Sequence, residues 1–191
     1  MEHNDALELY RRTGAYLEGH FRLSSGLHSP GYMQSALVLQ HPADAASLGM
    51  GIAVNVRRFR PTVVLSPALG GLIIGHEVAR ALGVRAIFAE RAGGTALTLR
   101  RGFTLSPNDR VLVVEDVFTT GKSTRETLEV ARDAGAEVVG AASIVDRSGG
   151  TIEFGVPSFS LVSLEVPAYD PAVCPLCAQG IPVEKPGSRP T

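Results

Sequence analysis

The sequence predicts an α/β protein with a mostly parallel central sheet flanked by helices. Short apolar, β-branched runs alternate with helical patterns from residue 62 to residue 145, and this alternation is typical of βαβ units. The 191 residues, 45% hydrophobic and 19% charged, suit one folded domain of ordinary size. In a sheet of this kind the functional groups collect at the carboxyl ends of the strands.

The elements follow from apolar spacing and from turn residues. A helix is predicted over 5–17, then a loop over 24–31 rich in Ser, Gly and Pro, and a strand over 32–39. Pro42 begins a second helix that continues to about Arg58. Further strands are predicted at 62–66, 84–90, 111–114 and 138–145, and further helices at 72–82 and 124–134, which end at Gly83 and Gly135. Residues 97–105 are either one arm of a hairpin or an ordered loop edge, and the tail from Pro167 is irregular.

Composition excludes several functional classes. The net charge of −1 argues against binding to nucleic acid or anionic lipid through global charge. The uncharged stretch 61–75 is too short for a membrane span, and the N-terminus has no secretory signal. The two cysteines, Cys174 and Cys177, lie near the C-terminus, so a fold held by several disulfides is not expected. A cytoplasmic location is expected instead.

The basic residues are strongly skewed toward arginine. Of 18 basic residues only Lys122 and Lys185 are lysines. A GC-rich or thermophile-like background explains such a skew, and so does a need for the planar guanidinium, which grips phosphate and carboxylate with two parallel bonds. Composition alone leaves both explanations open.

The segment 111–124 carries the strongest chemical signal. An apolar run ends in the paired acids Glu115 and Asp116, and a Thr-Thr-Gly-Lys-Ser loop then leads into a helix. Small hydroxyl and glycine residues at a helix N-terminus form a phosphate cradle, because backbone N–H groups and the helix dipole both favour an anion. A Walker A loop is not indicated, since its first glycine would fall at Asp116.

Two acids beside a phosphate loop would repel a bare phosphate. They suit a ligand that also presents sugar hydroxyls, a metal ion or a carbon that becomes cationic. The alternative is a solvated acidic pair at a strand end beside a capping Thr or Ser.

This segment closely resembles the phosphoribosyl diphosphate (PRPP) signature of type I phosphoribosyltransferases. Other stretches resemble the orotate-specific members, and the likeness extends over residues 7–166. The stretches that resemble the orotate-specific members are Phe21-Arg22-Leu23-Ser24-Ser25-Gly26 with Ser29-Pro30, Glu90-Arg91, Leu99-Arg100-Arg101-Gly102-Phe103 and Val145-Asp146-Arg147. The resemblance implies a type I phosphoribosyltransferase fold with a single domain over 1–166, a small hood from residues 1–40, a mobile loop over 91–103, and an extension over 167–191.

The resemblance implies transfer of ribose 5-phosphate from PRPP to N1 of orotate, giving orotidine 5′-phosphate and pyrophosphate in pyrimidine synthesis. Glu115 and Asp116 would stabilise positive charge that builds on the sugar in the transition state. Mg²⁺ would be held mainly by PRPP oxygens. The implied PRPP contacts are Glu115, Asp116, Val117, Phe118, Thr119, Thr120, Gly121, Lys122 and Ser123, together with Arg91 and Arg100.

The resemblance assigns orotate to Arg147, Thr119, Tyr32 and Met33. Arg147 would hold the orotate carboxylate, which uracil lacks. Without the resemblance, a salt bridge to Asp146 or a surface position explains Arg147 equally well, and core packing explains Tyr32 and Met33.

The resemblance also implies a homodimer, because the family's mobile loop covers the neighbouring subunit's site. Family lysines expected at the positions of Ser24, Gly70 and Ala92, among others, are missing. Arg91 and Arg101 are therefore predicted as catalytic residues, with Arg100 or Arg101 replacing lysines at the pyrophosphate. The alternative places these arginines in solvent or at a subunit interface.

The role of the cysteine pair and the function itself leave alternatives open. Cys174 and Cys177 have half the ligands of a zinc site, and no nearby histidine is expected to complete it within the chain. Four thiolates shared across a dimer, a redox pair or inert thiols remain possible. A phosphoribosyltransferase for another base and a non-catalytic PRPP-sensing regulator are the alternative functions.

Overall fold

The computed structural model describes residues 3–23, 25–91, 93 and 96–186. The helices are α1 (His3–Arg12), α2 (Ser35–Leu39), α3 (Pro42–Val56), α4 (Gly71–Leu82), α5 (Lys122–Asp133) and α6 (Pro175–Ala178). The strands are β1 (Tyr16–Arg22), β2 (His28–Met33), β3 (Val63–Pro67), β4 (Arg85–Arg91), β5 (Leu97–Leu99), β6 (Arg110–Phe118), β7 (Glu137–Asp146) and β8 (Ser158–Ser163).

Six strands form the central sheet in the order β5-β4-β3-β6-β7-β8. Only β5 runs antiparallel to its neighbour, so the predicted, mostly parallel sheet is confirmed. The core lies on both faces, because alternate side chains of one strand enter different clusters. Leu112 and Val114 pack on the side of α1 to α4, whereas Val111 and Val113 pack on the side of α5.

A separate two-stranded antiparallel sheet, β1 with β2, forms the predicted hood. The expected strand over 32–39 is wrong. The strand occupies His28–Met33 and residues 35–39 form α2. The first helix also ends earlier than predicted, since Gly14 adopts a left-handed φ of 66° and the chain turns into β1.

Two further differences concern the central sheet. Strand β6 continues through Phe118, because β7 runs beside it as far as the pair Phe118 and Asp146. Glu115 and Asp116 therefore lie inside the strand and not beyond its end. Strand β8 was not predicted, and residues 97–105 contribute only the three-residue hairpin arm β5.

The tail from residue 167 packs against the hood. Tyr169 pairs with His28, and Glu184 pairs with Phe21, through isolated bridges. In the part of the chain that the structure describes, no helix is long and apolar enough to cross a membrane.

Candidate active site

A cavity of about 970 Å³ opens between the hood and the carboxyl edge of the central sheet. Its volume suits a substrate of drug-like size. The sheet places β3, β6 and β7 so that the loops after them meet here. The lining residues are Arg22, Leu23, Tyr32, Met33, Gln34, Ala36, Leu39, Leu69, Gly70, Leu72, Ile73, Asp116, Val117, Thr119, Arg147, Lys185 and Pro186.

The paired acids face different surroundings. Glu115 is only 6% exposed, and Ser123 Oγ donates a 2.6 Å hydrogen bond to its Oε2. This bond ties the strand to the loop that follows. Burial raises the pKa of Glu115 well above its usual value, and the nearby charge of Asp116 raises that pKa further.

Asp116 borders the cavity itself. Burial raises the pKa of Asp116, while hydrogen bonding to Ser35 opposes the rise. Its carboxylate lies against Gly70, where an added Cβ would stand 2.7 Å from Oδ1. A glycine is therefore needed at residue 70 for the acid to keep this position. The charge of Asp116 also adds to burial in raising the pKa of Tyr32.

The loop after β6 has the geometry of a phosphate cradle. Gly121 adopts a φ of 72°, and an added Cβ would meet Ile152 and Phe154 at 2.9 Å, so only glycine suits this turn. Helix α5 begins at the next residue, Lys122, which with Thr119 and Thr120 is exposed. The start of this helix therefore faces solvent beside the hydroxyls of Thr119 and Thr120, the latter of which accepts a 3.4 Å hydrogen bond from the Lys122 N–H. Exposed N–H and hydroxyl groups at a helix start suit an anion.

The structure separates Phe118 from this cradle. Its side chain is 2% exposed and packs on Phe154, with ring centroids 4.7 Å apart. Phe118 can meet a ligand through its backbone alone. Val117 instead borders the cavity.

Arg147 is a buried guanidinium at the cavity wall, 7% exposed. Its Nη2 donates to Ser29 Oγ at 3.0 Å and to the Gly31 carbonyl at 3.1 Å, whereas Nε has no partner. Burial lowers its pKa. Within the described residues it forms no ion pair, so the alternative of a salt bridge to Asp146 is wrong. A buried cation without a carboxylate is costly, and this cost favours an anionic ligand here.

The Asp146 carboxylate is occupied elsewhere. It accepts hydrogen bonds from the backbone of Ser148 and Gly150 and from the Ser148 hydroxyl, at 2.6–3.1 Å. These bonds shape the turn after β7, which aims Arg147 inward.

Tyr32 and Met33 stand at the end of β2 and both border the cavity. Tyr32 is partly exposed, and its ring lies 6.0 Å from that of Phe21. Met33 is 6% exposed and also belongs to the main core cluster. The hood thus offers one free aromatic face and one soft apolar contact.

The three arginines of the predicted loop lie outside the lining of this cavity. Arg91 Nη2 donates to Glu126 at 2.7 Å, and Arg101 donates to both Glu90 oxygens at 3.0 and 3.1 Å. Arg100 lies 3.8 Å from the same Glu90 carboxylate. Ser24 and Ala92, where the resemblance predicted lysines, lie outside the described residues.

The tail holds two features that sequence reasoning missed. Lys185 and Pro186 border the cavity, although nothing in their spacing signalled it. His20 and His28 lie beside Cys174 and Cys177, with all four ligand atoms within 4.8 Å of one another. The expectation that no histidine stands near the cysteines is wrong, because the tail folds back onto both hood strands. Two histidines flanking the 23–27 turn were the available signal.

The chain is similar in sequence to known phosphoribosyltransferases. Residues 39–154 match the family described as phosphoribosyl transferase domain. Orotate phosphoribosyltransferase of Pelotomaculum thermopropionicum is 51% identical over 189 residues, covering 99% of each chain. The Thermus thermophilus protein of that name is 50% identical over 181 residues, covering 95% of this chain and 99% of its own.

Solved structures agree with the sequence relatives. Orotate phosphoribosyltransferase from Aeropyrum pernix superimposes with a TM-score of 0.69 at 29% identity, covering 83% of this chain and 93% of that one. The Mycobacterium tuberculosis enzyme, in a complex with Fe(III) dicitrate, gives a TM-score of 0.70 at 28% identity, with 84% and 95% covered.

Proposed function

The chain belongs to the phosphoribosyltransferase family, in its orotate phosphoribosyltransferase branch, and on this basis we propose that it transfers ribose 5-phosphate from PRPP to N1 of orotate. The products are orotidine 5′-phosphate and pyrophosphate, a step of pyrimidine synthesis. One observation carries the proposal. A single cavity presents a buried guanidinium without a carboxylate partner, Arg147, together with Asp116 and Thr119 of the acid pair and phosphate loop.

The ribose 5-phosphate group of PRPP is held by the loop 119–123 and by Asp116. Backbone N–H groups at the start of α5, including that of Ser123, receive the phosphate together with the hydroxyls of Thr119 and Thr120. As the bond from C1 to the pyrophosphate breaks, positive charge builds on the ribose ring. The Asp116 carboxylate, at the cavity wall, stabilises that charge more than it stabilises the ground state. Glu115, hydrogen-bonded to Ser123, keeps the loop in register with the strand.

Orotate lies against the hood. Arg147 receives the orotate carboxylate through charge-assisted hydrogen bonds from the guanidinium N–H groups that Ser29 and Gly31 do not occupy. The Tyr32 ring stacks on the pyrimidine, Met33 packs at its edge, and Thr119 contacts the base. Uracil, which has no carboxylate, would leave the Arg147 cation unpaired, so the same contact gives specificity.

Mg²⁺ is the cofactor that suits this donor set. Asp116 supplies a carboxylate at the cavity wall, and Mg²⁺ combines one or two carboxylates with substrate phosphates and water. When bound with PRPP, the ion neutralises charge on the departing pyrophosphate. No sulfur or imidazole group lines the cavity among the described residues, apart from the Met33 thioether, and this agrees with a hard cation.

The functional unit is proposed to be a homodimer in which each loop 91–103 covers the partner's cavity. Arg91, Arg100 and Arg101 lie outside the lining of their own cavity, and their partners Glu90 and Glu126 are surface carboxylates. Ion pairs of this exposed kind contribute little to stability, because water and salt screen them. The arginines can therefore leave them for pyrophosphate in the neighbouring site. The enzyme is assigned to the cytoplasm, where Cys174 and Cys177 remain reduced.

The proposal is tested by pyrophosphate release from PRPP and Mg²⁺ with orotate, uracil, adenine or hypoxanthine. Turnover is expected with orotate, and at least about 100-fold less with uracil because Arg147 is then unpaired. The Asp116→Asn variant is the background control. Equal turnover with uracil would remove the role of Arg147, and turnover with a purine alone would identify a different transferase.

A further inference from the structure

The hood and the tail bring two histidines and two cysteines into one cluster. His20 lies on β1, His28 begins β2, Cys174 precedes α6 and Cys177 lies within it. Cys174 Sγ is 3.6 Å and Cys177 Sγ is 3.7 Å from His20 Nε2, and Cys177 Sγ is 3.3 Å from His28 Nδ1. His20, His28 and Cys174 are buried, and Cys177 closes the exposed side.

The separations match a tetrahedral metal centre. Zinc–sulfur bonds of about 2.3 Å and zinc–nitrogen bonds of about 2.0–2.1 Å give nitrogen–sulfur edges of about 3.6 Å in a tetrahedron. Three of the four nitrogen–sulfur distances of the cluster are 3.3–3.7 Å, and all four ligand atoms lie within 4.8 Å of one another. The nitrogen–nitrogen edge, 2.9 Å from His20 Nε2 to His28 Nδ1, is shorter than the ideal by about 0.4 Å, which a small ring rotation restores.

Hydrogen bonding fixes His20 in the form that a metal needs. Its Nδ1 lies 2.7 Å from the Ile181 carbonyl, and a carbonyl only accepts, so Nδ1 carries the hydrogen. The lone pair is therefore on Nε2, the atom that faces Cys174, Cys177 and His28. A carbonyl that orients a ligating imidazole in this way is usual beside protein metal ions.

The backbone holds the two halves together on both sides of the cluster. His28 and Tyr169 exchange a pair of backbone hydrogen bonds of 2.9 and 2.8 Å. Glu184 donates to the His20 carbonyl at 2.8 Å and accepts from the Arg22 N–H at 2.7 Å. The segments before and after the cysteines are thus each paired with the strand that bears a histidine.

We propose that His20, His28, Cys174 and Cys177 bind one zinc ion that clamps the tail onto the hood. Two imidazoles and two thiolates are the ligands of structural zinc, and four protein ligands leave no open position for catalysis. Two thiolates balance the charge of Zn²⁺, so the centre is neutral and its burial costs little. The site is complete within one chain.

The clamp has a consequence at the cavity. Glu184, which pairs with His20 and Arg22, directly precedes Lys185, and Ile181, which orients His20, lies four residues before it. Lys185 borders the cavity, as does Gly70, a position where the resemblance to the family predicted a lysine. The zinc ion thereby holds Lys185 in place as a cation for the anionic substrates. This second role rests on the proposed function, whereas zinc binding does not.

Zinc binding is tested on the full chain expressed without a histidine tag and purified under reducing conditions without chelator. Elemental analysis should find about one zinc ion per chain. Titration with a mercurial reagent should release it as two thiols react. Less than about 0.1 zinc per chain after growth with added zinc, or iron in its place, overturns the assignment.

Variants locate the ligands. Cys177→Ser, an exposed position, is expected to lose most of the zinc, whereas His76→Gln, an exposed histidine elsewhere, should keep it. Cobalt exchanged into the wild type should show thiolate charge-transfer bands that weaken in Cys177→Ser. If Cys177→Ser binds zinc as the wild type does, the cluster does not hold the ion.

Chelation tests the clamp. Removing zinc should lower the melting temperature by at least about 5 °C and raise the KM for PRPP or orotate as much as Lys185→Ala does. Chelation of Lys185→Ala should then raise KM no further, and Arg11→Ala is the surface-charge control. An unchanged melting temperature overturns the clamp, and unequal KM effects overturn the role of Lys185. Zinc content and melting temperature remain informative even if orotate is not the substrate.

Discussion

Replacing Arg147 tests the substrate assignment most directly, because the structure isolates what this side chain does. Its Nη2 is committed to Ser29 and Gly31, whereas Nε has no protein partner. Arg147→Ala and Arg147→Met remove the cation, and Arg147→Lys keeps a charge but loses the planar pair of donors. The three variants separate charge from geometry.

The magnitude follows from the lost bonds. A hydrogen bond to a charged group contributes about 1.5–3 kcal/mol, so two such bonds to the orotate carboxylate correspond to about 3–6 kcal/mol. Because about 1.4 kcal/mol is tenfold in rate, kcat/KM for orotate should fall by about 10²–10⁴-fold in Arg147→Ala. Arg147→Lys should lie between the wild type and Arg147→Ala.

The assay compares kcat/KM for orotate and for uracil in the same variants. Uracil turnover should stay nearly constant, so that the preference for orotate collapses. Folding stability should change by less than about 1 kcal/mol, since two hydrogen bonds are lost but a costly buried cation is also removed. A loss of activity that is equal for orotate and uracil would refute carboxylate recognition by Arg147.

Three more predictions concern the acids and the loop. Burial raises the folded-state pKa of Glu115 above its unfolded value of about 4.3. The native state therefore binds more protons, and folding stability falls as pH rises from the unfolded to the folded pKa. Glu115→Gln should abolish this fall and raise the melting temperature at pH 7 by about 2–4 °C, and parallel pH dependence of the melting temperature in both proteins would contradict it. Gly70→Ala, whose Cβ would stand 2.7 Å from Asp116 Oδ1, should lower kcat at least about tenfold through displacement of that carboxylate, with unchanged kinetics as the contrary result. Asp116→Asn and Arg91→Ala subunits, each weakly active alone, should regain about a quarter of wild-type activity after mixing, because a hybrid dimer has one intact site if the loop acts on its partner; no recovery in verified hybrids would place the loop in its own site.

The sequence alone was sufficient for the class of fold, and it singled out the segment on which the proposed site is built. Apolar runs alternating with helical patterns predicted the parallel sheet, and the order of acids, small hydroxyl residues and glycine at 115–123 indicated phosphate and sugar. Both signals are local, because a strand, a turn and a helix N-terminus depend on neighbouring residues.

The tertiary structure decided which of these residues face the cavity. Asp116 borders it, whereas adjacent Glu115 bonds to Ser123 and Phe118 points into the core. Pairing with β7 sets this alternation, because it extends the strand through both acids. The apolar run 111–114 in the sequence does not indicate that pairing with β7 continues the strand to Phe118.

The tail is a second case in which the sequence could not show which residues meet, here over a longer separation in the chain. The pair Cys174 and Cys177 was visible in the sequence, but its partners His20 and His28 lie about 150 residues earlier in the chain. Only the folding of the tail onto the hood brings them within bonding distance and carries Lys185 to the cavity. Local spacing determines local structure, whereas contacts between remote segments depend on how the whole chain packs.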